Sequence, residues 1–133
     1  MDMTHLQPFL DAMHAGDPDA LAPHVSDAVV LRSPILTEPF EGRDAVQRLL
    51  ALLLRATDSF EVTDMVTTDM RALVFVTIRA GDVTVEGIDD MRVDADGLVS
   101  SMTIQWRPLP AIVAMQQRIA PLAGLPVLQL LQT

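Results

Sequence analysis

A carboxylic acid interrupts an apolar row between residues 83 and 93, where the chain reads VTVEGIDDMRV. In a β-strand, alternate side chains lie on the same face of the sheet. One such set is Val83, Val85, Gly87, Asp89, Met91 and Val93. If this row faces the interior, burial disfavours the ionised carboxylate, and we expect a raised pKa for Asp89. A neutral Asp89 would donate a hydrogen bond to a ligand carbonyl, whereas an ionised Asp89 would serve as a base.

A structural role for Asp89 is the alternative. The carboxyl group would then pair with an arginine such as Arg79, or it would occupy a strand bulge beside Gly87. The alternation of residues alone leaves both readings open.

Other chemistry-bearing residue types give weaker signals. The three histidines, His5, His14 and His24, lack metal-ligand spacing. The DADG turn at 94–97 lacks the glutamate that completes a calcium loop. The chain contains no glycine-rich phosphate loop and no GxSxG motif. The sequence therefore predicts neither a metal site nor a cofactor.

The elements that would position Asp89 begin with three helices. THLQPFLDAMHAG has apolar residues at i, i+3, i+4 and i+7 and ends at a glycine, which predicts an amphipathic helix. Asp17 and Pro18 suit the start of a short second helix. GRDAVQRLLALLLRA predicts a third helix with one apolar side.

Strands dominate the second half of the chain. AVVLRSP predicts an early strand that stops at Pro34, and four more are predicted over SFEVTDMVTT, RALVFVTIRAG, residues 83–93 and LVSSMTIQW. Short turns join the later strands, which favours antiparallel pairing and an α+β fold. We expect one domain over residues 1–133, in which a curved antiparallel sheet wraps around a long helix as a cone.

The apolar tail, residues 108–133, contains Pro110 and Pro126, each suited to begin a helix. Three roles are open for this helical tail. It caps the mouth of the cone, packs on a second subunit, or simply docks on its own barrel.

Composition excludes several classes of function. The 133 residues carry a formal net charge of −9, which disfavours binding to nucleic acid or to an anionic membrane surface. The chain has no cysteine, no signal-peptide pattern and no uncharged run long enough to span a bilayer. We therefore expect a cytoplasmic protein.

Three segments resemble the nuclear-transport-factor-2-like (SnoaL-like) superfamily, and within it the ketosteroid isomerase group. AGDPDALAPHVSDAVVLRSP resembles that group's opening helices and strand, and EGRDAVQRLL resembles its loop into the third helix. GIDDMRVDADGLVSSMTIQW, the most specific part, resembles its two closing strands with their terminal tryptophan. The resemblance covers about residues 6–107. It implies a cone-shaped α+β barrel, an apolar pocket and a homodimer.

The resemblance also implies residue roles. Asp89 falls on the position of the isomerases' hydrogen-bond-donating aspartate, and Met102 and Trp106 fall on pocket-lining positions. The isomerases' base, an aspartate before a proline, falls on Ser33. Their tyrosine falls on Phe9, and this chain contains no tyrosine.

The predicted site combines one acid with an apolar wall. We predict Asp89 as catalytic, and as ligand-binding residues Phe9, Met13, Ser33, Met91, Met102 and Trp106. The eight methionines indicate an adaptable wall. The apolar members fit plain core packing equally well, and Ser33 fits a turn before proline.

Three functions are compatible with this site. The first is an isomerase, lyase or cyclase-type enzyme that acts on a steroid-like or polyketide-like carbonyl compound. The second is a non-catalytic module for binding an apolar small molecule or for dimerisation. The third is an epoxide hydrolase, which needs a buried Asp-Arg-Asp arrangement; Arg79 is a candidate arginine, but no second aspartate is evident.

Overall fold

One curved sheet organises the part of the chain that the computed structural model describes, residues 3–129. Its strands are β1 (Val25–Arg32), β2 (Phe40–Glu41), β3 (Ser59–Thr68), β4 (Arg71–Ala80), β5 (Val83–Val93) and β6 (Val99–Arg107). Their spatial order is β2-β1-β6-β5-β4-β3. The helices are α1 (Leu6–Ala15), α2 (Arg43–Ala56) and α3 (Leu109–Ala123). The predicted α+β class is confirmed.

Strand direction follows the prediction except at one pairing. β3 to β6 form an antiparallel meander, and β2 is antiparallel to β1. β1 and β6, however, are parallel, so the sheet is mixed. Sequence reasoning missed this pair because the two strands are far apart in the chain and no turn joins them. The pairing has one extra residue in β3, Thr63, and one in β6, Ser100, which are positions typical of β-bulges.

The inner face of the sheet carries the core. In β5, Val85, Asp89 and Met91 are buried, while Thr84 and Arg92 on the other face are exposed. This confirms the alternation from which Asp89 was chosen. The core on this face also includes residues of α1 and α2, among them Phe9, Met13 and Leu50.

The predicted second helix is two 3₁₀ turns, Pro18–Ala20 and Ala22–His24. Pro18 begins the first turn as expected. Pro23 lies one residue into the second, where it has no backbone N–H for an α-helical hydrogen bond. The segment therefore stays short, and β1 follows it directly.

The C-terminal helix docks on its own barrel, where it contacts α2, β5 and β6. It begins beside Pro110, as predicted, and ends at Gly124 in the left-handed conformation. The predicted second helix from Pro126 is absent through residue 129, and its remainder lies outside the described residues. Within residues 3–129, no helix combines the length and apolar character needed to cross a membrane.

The segment after α3 is tied back to that helix. The side-chain amide of Gln116, a buried residue, donates to the carbonyl of Pro126 (2.8 Å) and accepts from the N–H of Leu128 (2.9 Å). Gln117 also donates to the carbonyl of Leu128 (2.8 Å). These contacts hold residues 126–128 against α3.

Candidate functional site

Asp89 lies in the middle of β5, opposite Val74 of β4 and Ile104 of β6. Its side chain is buried, with 3% of the residue exposed. Among residues 3–129, no hydrogen bond or ion pair to its carboxyl group is found. Burial raises the pKa of Asp89 to about 7, because the ionised form would lose its hydration without gaining a partner.

Neither structural alternative for Asp89 is observed. Arg79 is half-exposed and approaches Glu61, with 3.7 Å between the nearest nitrogen and oxygen. The pairing of β5 with both neighbouring strands is regular at Gly87 and Asp89, so no bulge lies there. Asp89 is therefore a buried acid without a visible structural partner.

The neighbouring carboxyl group of Asp90, unlike that of Asp89, is paired with an arginine. It points to the opposite face and accepts two hydrogen bonds from the guanidinium of Arg71, at 2.9 and 2.8 Å. The hydrogen bond from Arg71 lowers the pKa of Asp90. The two adjacent aspartates thus have opposite pKa shifts. Asp90 is paired with Arg71 on the outer face of the sheet, whereas Asp89 is buried on the inner face without a partner among residues 3–129.

A small inner cavity lies between β6, α2, α3 and the segment that follows β1. Its volume is about 20 Å³, which is room for roughly one water molecule. It is lined by Ser33, Pro34, Ile35, Leu49, Leu50, Leu53, Ile104, Trp106 and Ile119. Ser33 and Trp106, two predicted site residues distant in sequence, therefore border the same space.

A larger outer groove adjoins the inner cavity, and the two share Ser33, Ile35, Leu49 and Ile119. The groove has a volume of about 240 Å³. Its other lining residues come from the β1–β2 connection, from α2 and from the α3 end of the chain: Leu36, Phe40, Ala45, Arg48, Leu52, Ala123 and Leu125. The outer groove and the inner cavity together form an apolar route from the surface toward β6.

The remaining predicted ligand-binding residues lie deeper. Phe9, Met13, Met91 and Met102 are all in the buried core and border neither the cavity nor the groove. Asp89 borders neither space, but Ile104, directly across from it on β6, lines the inner cavity. The route therefore ends one side chain short of the acid.

Sequence reasoning missed the groove because its lining comes from distant segments. Leu36 and Phe40 follow β1 in an irregular connection, and Leu52 lies beside the buried stripe of α2. The apolar character of the tail was the available signal, because Ala123 and Leu125 line the groove.

Trp106 packs unusually close to Gly87, its cross-strand neighbour on β5. A Cβ atom added to Gly87 would lie 2.7 Å from Cδ1 of the indole. Glycine is therefore required for this ring position. The indole Nε1 is buried and has no hydrogen-bond partner among residues 3–129.

Ser33 is engaged in a turn as well as in the cavity wall. Its hydroxyl oxygen accepts from the backbone N–H of Leu36 at 3.0 Å and from that of Ile35 at 3.4 Å. A hydroxyl group accepts and donates at once, so its hydrogen is still available to another group.

The histidines lie outside this region. The Nδ1 atoms of His5 and His24 are 3.1 Å apart, and His14 Nδ1 lies 3.0 Å from the carbonyl oxygen of Phe60. Burial, followed by the neighbouring His5, lowers the pKa of His24. In residues 3–129, no three acidic, histidine or cysteine side chains gather where they could hold a metal ion.

The order of helices and strands and the curved six-stranded sheet are those of the NTF2-like fold. The SnoaL-like domain model matches residues 6–102. The chain belongs to this SnoaL-like family, as the sequence predicts.

The chain is also similar to individual proteins of known sequence or structure. The chain is 34% identical over 109 residues to a steroid Δ-isomerase of Nocardioides simplex, covering 79% of this chain and 89% of that protein. It shares the fold of a crystal structure of a steroid Δ-isomerase from Pseudomonas aeruginosa, with a TM-score of 0.85 and 20% identity over 91% and 90% of the two chains. The epoxide hydrolase/cyclase-like enzyme SalBIII, described in pyran ring formation of salinomycin, has a TM-score of 0.68 and 16% identity, over 78% and 88%.

Stability should report the raised pKa of Asp89. The folded-state pKa of about 7 lies above the ordinary value of 3.8. Protonation of Asp89 therefore contributes stability that is complete below pH 3.8, falls as pH rises and is lost above pH 7. Asp89→Asn cannot ionise, so its stability relative to the wild type should rise by about 2–3 kcal/mol between pH 5 and pH 8. Urea unfolding at both pH values measures this difference.

Asp90→Asn is the matched control. Its carboxyl group has a lowered pKa, so removing it should not produce an increase in relative stability between pH 5 and pH 8. A flat difference between Asp89→Asn and the wild type over the same range would show that Asp89 is ionised in the folded protein at pH 5.

Proposed function

We propose that this protein binds an apolar carbonyl compound of steroid-like or polyketide-like character and isomerises it, with Asp89 as the acid–base group. The observation that carries the proposal is the buried, unpaired carboxyl group whose pKa is raised to about 7. A group with such a pKa both accepts and returns protons at neutral pH, which is the property required of a general acid–base catalyst. The steroid Δ-isomerase relative supports a steroid-like ketone.

The chemistry is a proton shift. The ionised Asp89 removes a proton from a carbon next to the ligand carbonyl, and the electron pair moves onto the carbonyl oxygen. The protonated Asp89 then returns the proton to another carbon of the same conjugated system, and the carbonyl re-forms. Atoms and electrons balance, and no oxidant or cofactor is needed.

Access to Asp89 requires the core to adjust. The inner cavity is lined by Ile104, the cross-strand partner of Asp89, but not by Asp89 itself. Met91 and Met102 lie face to face beside Asp89 and Ile104 on β5 and β6. Unbranched methionine side chains repack at low cost, so they are suited to admit a ligand here.

The departures at Ser33 and Phe9 set this protein apart from ordinary ketosteroid isomerases. Neither side chain supplies a carboxylate or a phenol, so we assign proton transfer to Asp89 itself. We propose Ser33 and Trp106 as ligand-contacting residues at the cavity, and Phe9, Met13, Met91 and Met102 as the wall that moves.

The alternatives are distinguished by what surrounds Asp89. A non-catalytic binding module would use the same groove without turnover. The epoxide hydrolase alternative has less support, because Asp89 is the only buried aspartate or arginine among residues 3–129. A cytoplasmic location stays a prediction from the sequence.

Asp89→Asn tests the catalytic role. We expect turnover of androst-5-en-3-one to androst-4-en-3-one to fall by about 100-fold or more, because the amide cannot exchange a proton. The appearance of the conjugated enone is followed by ultraviolet absorption. Binding of androst-4-en-3-one, measured by thermal shift, should survive, since ligand binding stabilises only the folded state.

Unchanged turnover in Asp89→Asn would contradict the proposal. A wild-type protein that binds the ketone but does not isomerise the Δ5 compound would favour the binding module. Asp90→Asn, with its side chain on the opposite face, serves as the control with full turnover.

The tail is proposed to cover the groove. A chain that ends at Ala120 lacks Ala123 and Leu125 and the Gln116 contacts of residues 126–128. We expect stronger fluorescence of 1-anilinonaphthalene-8-sulfonate with this chain, because the apolar groove is opened to solvent. A chain that ends at Gln129 keeps these contacts and is the control. Equal dye fluorescence and the same oligomeric state for both chains would leave docking on the barrel as the tail's only role.

We further propose a homodimer that uses the outer face of the sheet. Phe75 and Ile88 form a half-buried cross-strand pair there, and Val66 pairs with Leu73 on the same face. These apolar side chains would be covered by a second copy.

Phe75→Arg should convert a dimer to a monomer, because it places a charge in the apolar centre of this face. Sedimentation velocity measures the change, with the loop variant Asp82→Arg as a control. A monomeric wild-type protein would refute the dimer.

A further inference from the structure

Two hydrogen-bond donors at the inner cavity have capacity that the protein itself does not use. The indole N–H of Trp106 is buried without a partner among residues 3–129. The hydroxyl oxygen of Ser33 accepts from backbone N–H groups, so its own hydrogen is available. In native proteins almost every buried donor is paired, so an unpaired one calls for an explanation.

The two donors border one space of very small size. The inner cavity, about 20 Å³, has both Ser33 and Trp106 in its wall. A space of this size holds roughly one water-sized group. A single atom within it is therefore adjacent to both side chains.

Gly87 fixes one of the donors in place. The absence of a Cβ lets the pyrrole edge of Trp106 pack against β5, with Nε1 3.2 Å from the position that a Cβ would occupy. Asp89 lies two residues from Gly87 on the same face, so Trp106 and Asp89 occupy diagonal positions on β6 and β5. On such a sheet face, diagonal neighbours are within reach of a large aromatic side chain.

The other residues of the cavity wall determine whether a charged or a neutral ligand oxygen fits there. Apart from Ser33 and Trp106, the lining side chains are those of proline, leucine and isoleucine. A carboxylate or phosphate group would enter this cavity without a counter-charge, which is strongly unfavourable. A carbonyl oxygen is neutral and has two lone pairs, one for each donor.

We propose that Trp106 and Ser33 donate hydrogen bonds to the carbonyl oxygen of the ligand, which leaves Asp89 free to move the proton. This inference rests on the proposed function and deepens it. The ligand is then a ketone-bearing hydrocarbon, and a plain hydrocarbon of the same shape binds more weakly because it cannot accept these hydrogen bonds. During the proton shift, the two donors stabilise the negative charge that develops on the oxygen.

The single tryptophan of the chain makes the test direct. In ¹⁵N–¹H spectra of the full chain, its indole gives one side-chain signal. We expect androst-4-en-3-one to move the indole proton downfield, because a hydrogen bond to N–H deshields that proton. Androst-4-ene, which lacks the oxygen, should produce no downfield shift.

Affinity gives a second readout. Trp106→Phe keeps an aromatic ring but removes the donor. We expect its affinity for androst-4-en-3-one to fall about tenfold or more, with no such loss for androst-4-ene. In Asp89→Asn, the ketone should still move the indole signal, since that residue is assigned to proton transfer.

The outcomes separate this inference from the proposed function. If the ketone stabilises the protein in a thermal-shift assay but leaves the indole signal in place, the donor role is overturned and the pocket stands. Equal signal changes with both steroids would also overturn it, because contact and not hydrogen bonding would be the cause. If neither steroid binds, both proposals fall.

Discussion

The burial of one unpaired carboxyl group is the constraint on which the rest of this structure depends. An ionised carboxylate inside an apolar core loses its hydration, and within residues 3–129 Asp89 gains no ion pair in return. The fold therefore gives up stability above pH 7 to keep an acid at this place. A leucine or valine would fill the same position on β5 without that cost. Such a cost is typical of sites where perturbed groups carry function.

The sheet positions the site through simple cross-strand geometry. Adjacent inner-face pairs on β5 and β6 are Gly87 with Trp106, Asp89 with Ile104, and Met91 with Met102. Trp106, Asp89 and the methionine pair therefore occupy successive positions along the β5–β6 pairing. The parallel pairing of β1 with β6 then brings the end of β1, and Ser33 directly after it, next to this ladder. The proposed site therefore lies where the two halves of the chain meet.

The difference between Asp89 and Asp90 shows how little chemistry depends on residue type alone. The two aspartates are consecutive, yet the side-chain alternation of a strand sends one into the core and the other toward Arg71. One pKa is raised by lost hydration, and the other is lowered by a bidentate hydrogen bond. The resemblance likewise aligns the family's base position with Ser33, which has no carboxylate, and membership of a family fixes the architecture but not the chemistry.

The sequence by itself determined the α+β class, the main helices and strands, the inward direction of Asp89 and the family, because these follow from local periodicity and from recognisable segments. It also placed Trp106 and Ile104 on one face of β6. Only the tertiary structure decided the parallel β1–β6 contact, the shared cavity of Ser33 and Trp106, and the groove that the end of α3 covers. These depend on contacts between segments distant in the chain, which no local pattern records. The unpaired indole N–H belongs to the same class, since the absence of a partner is a property of the whole packed interior.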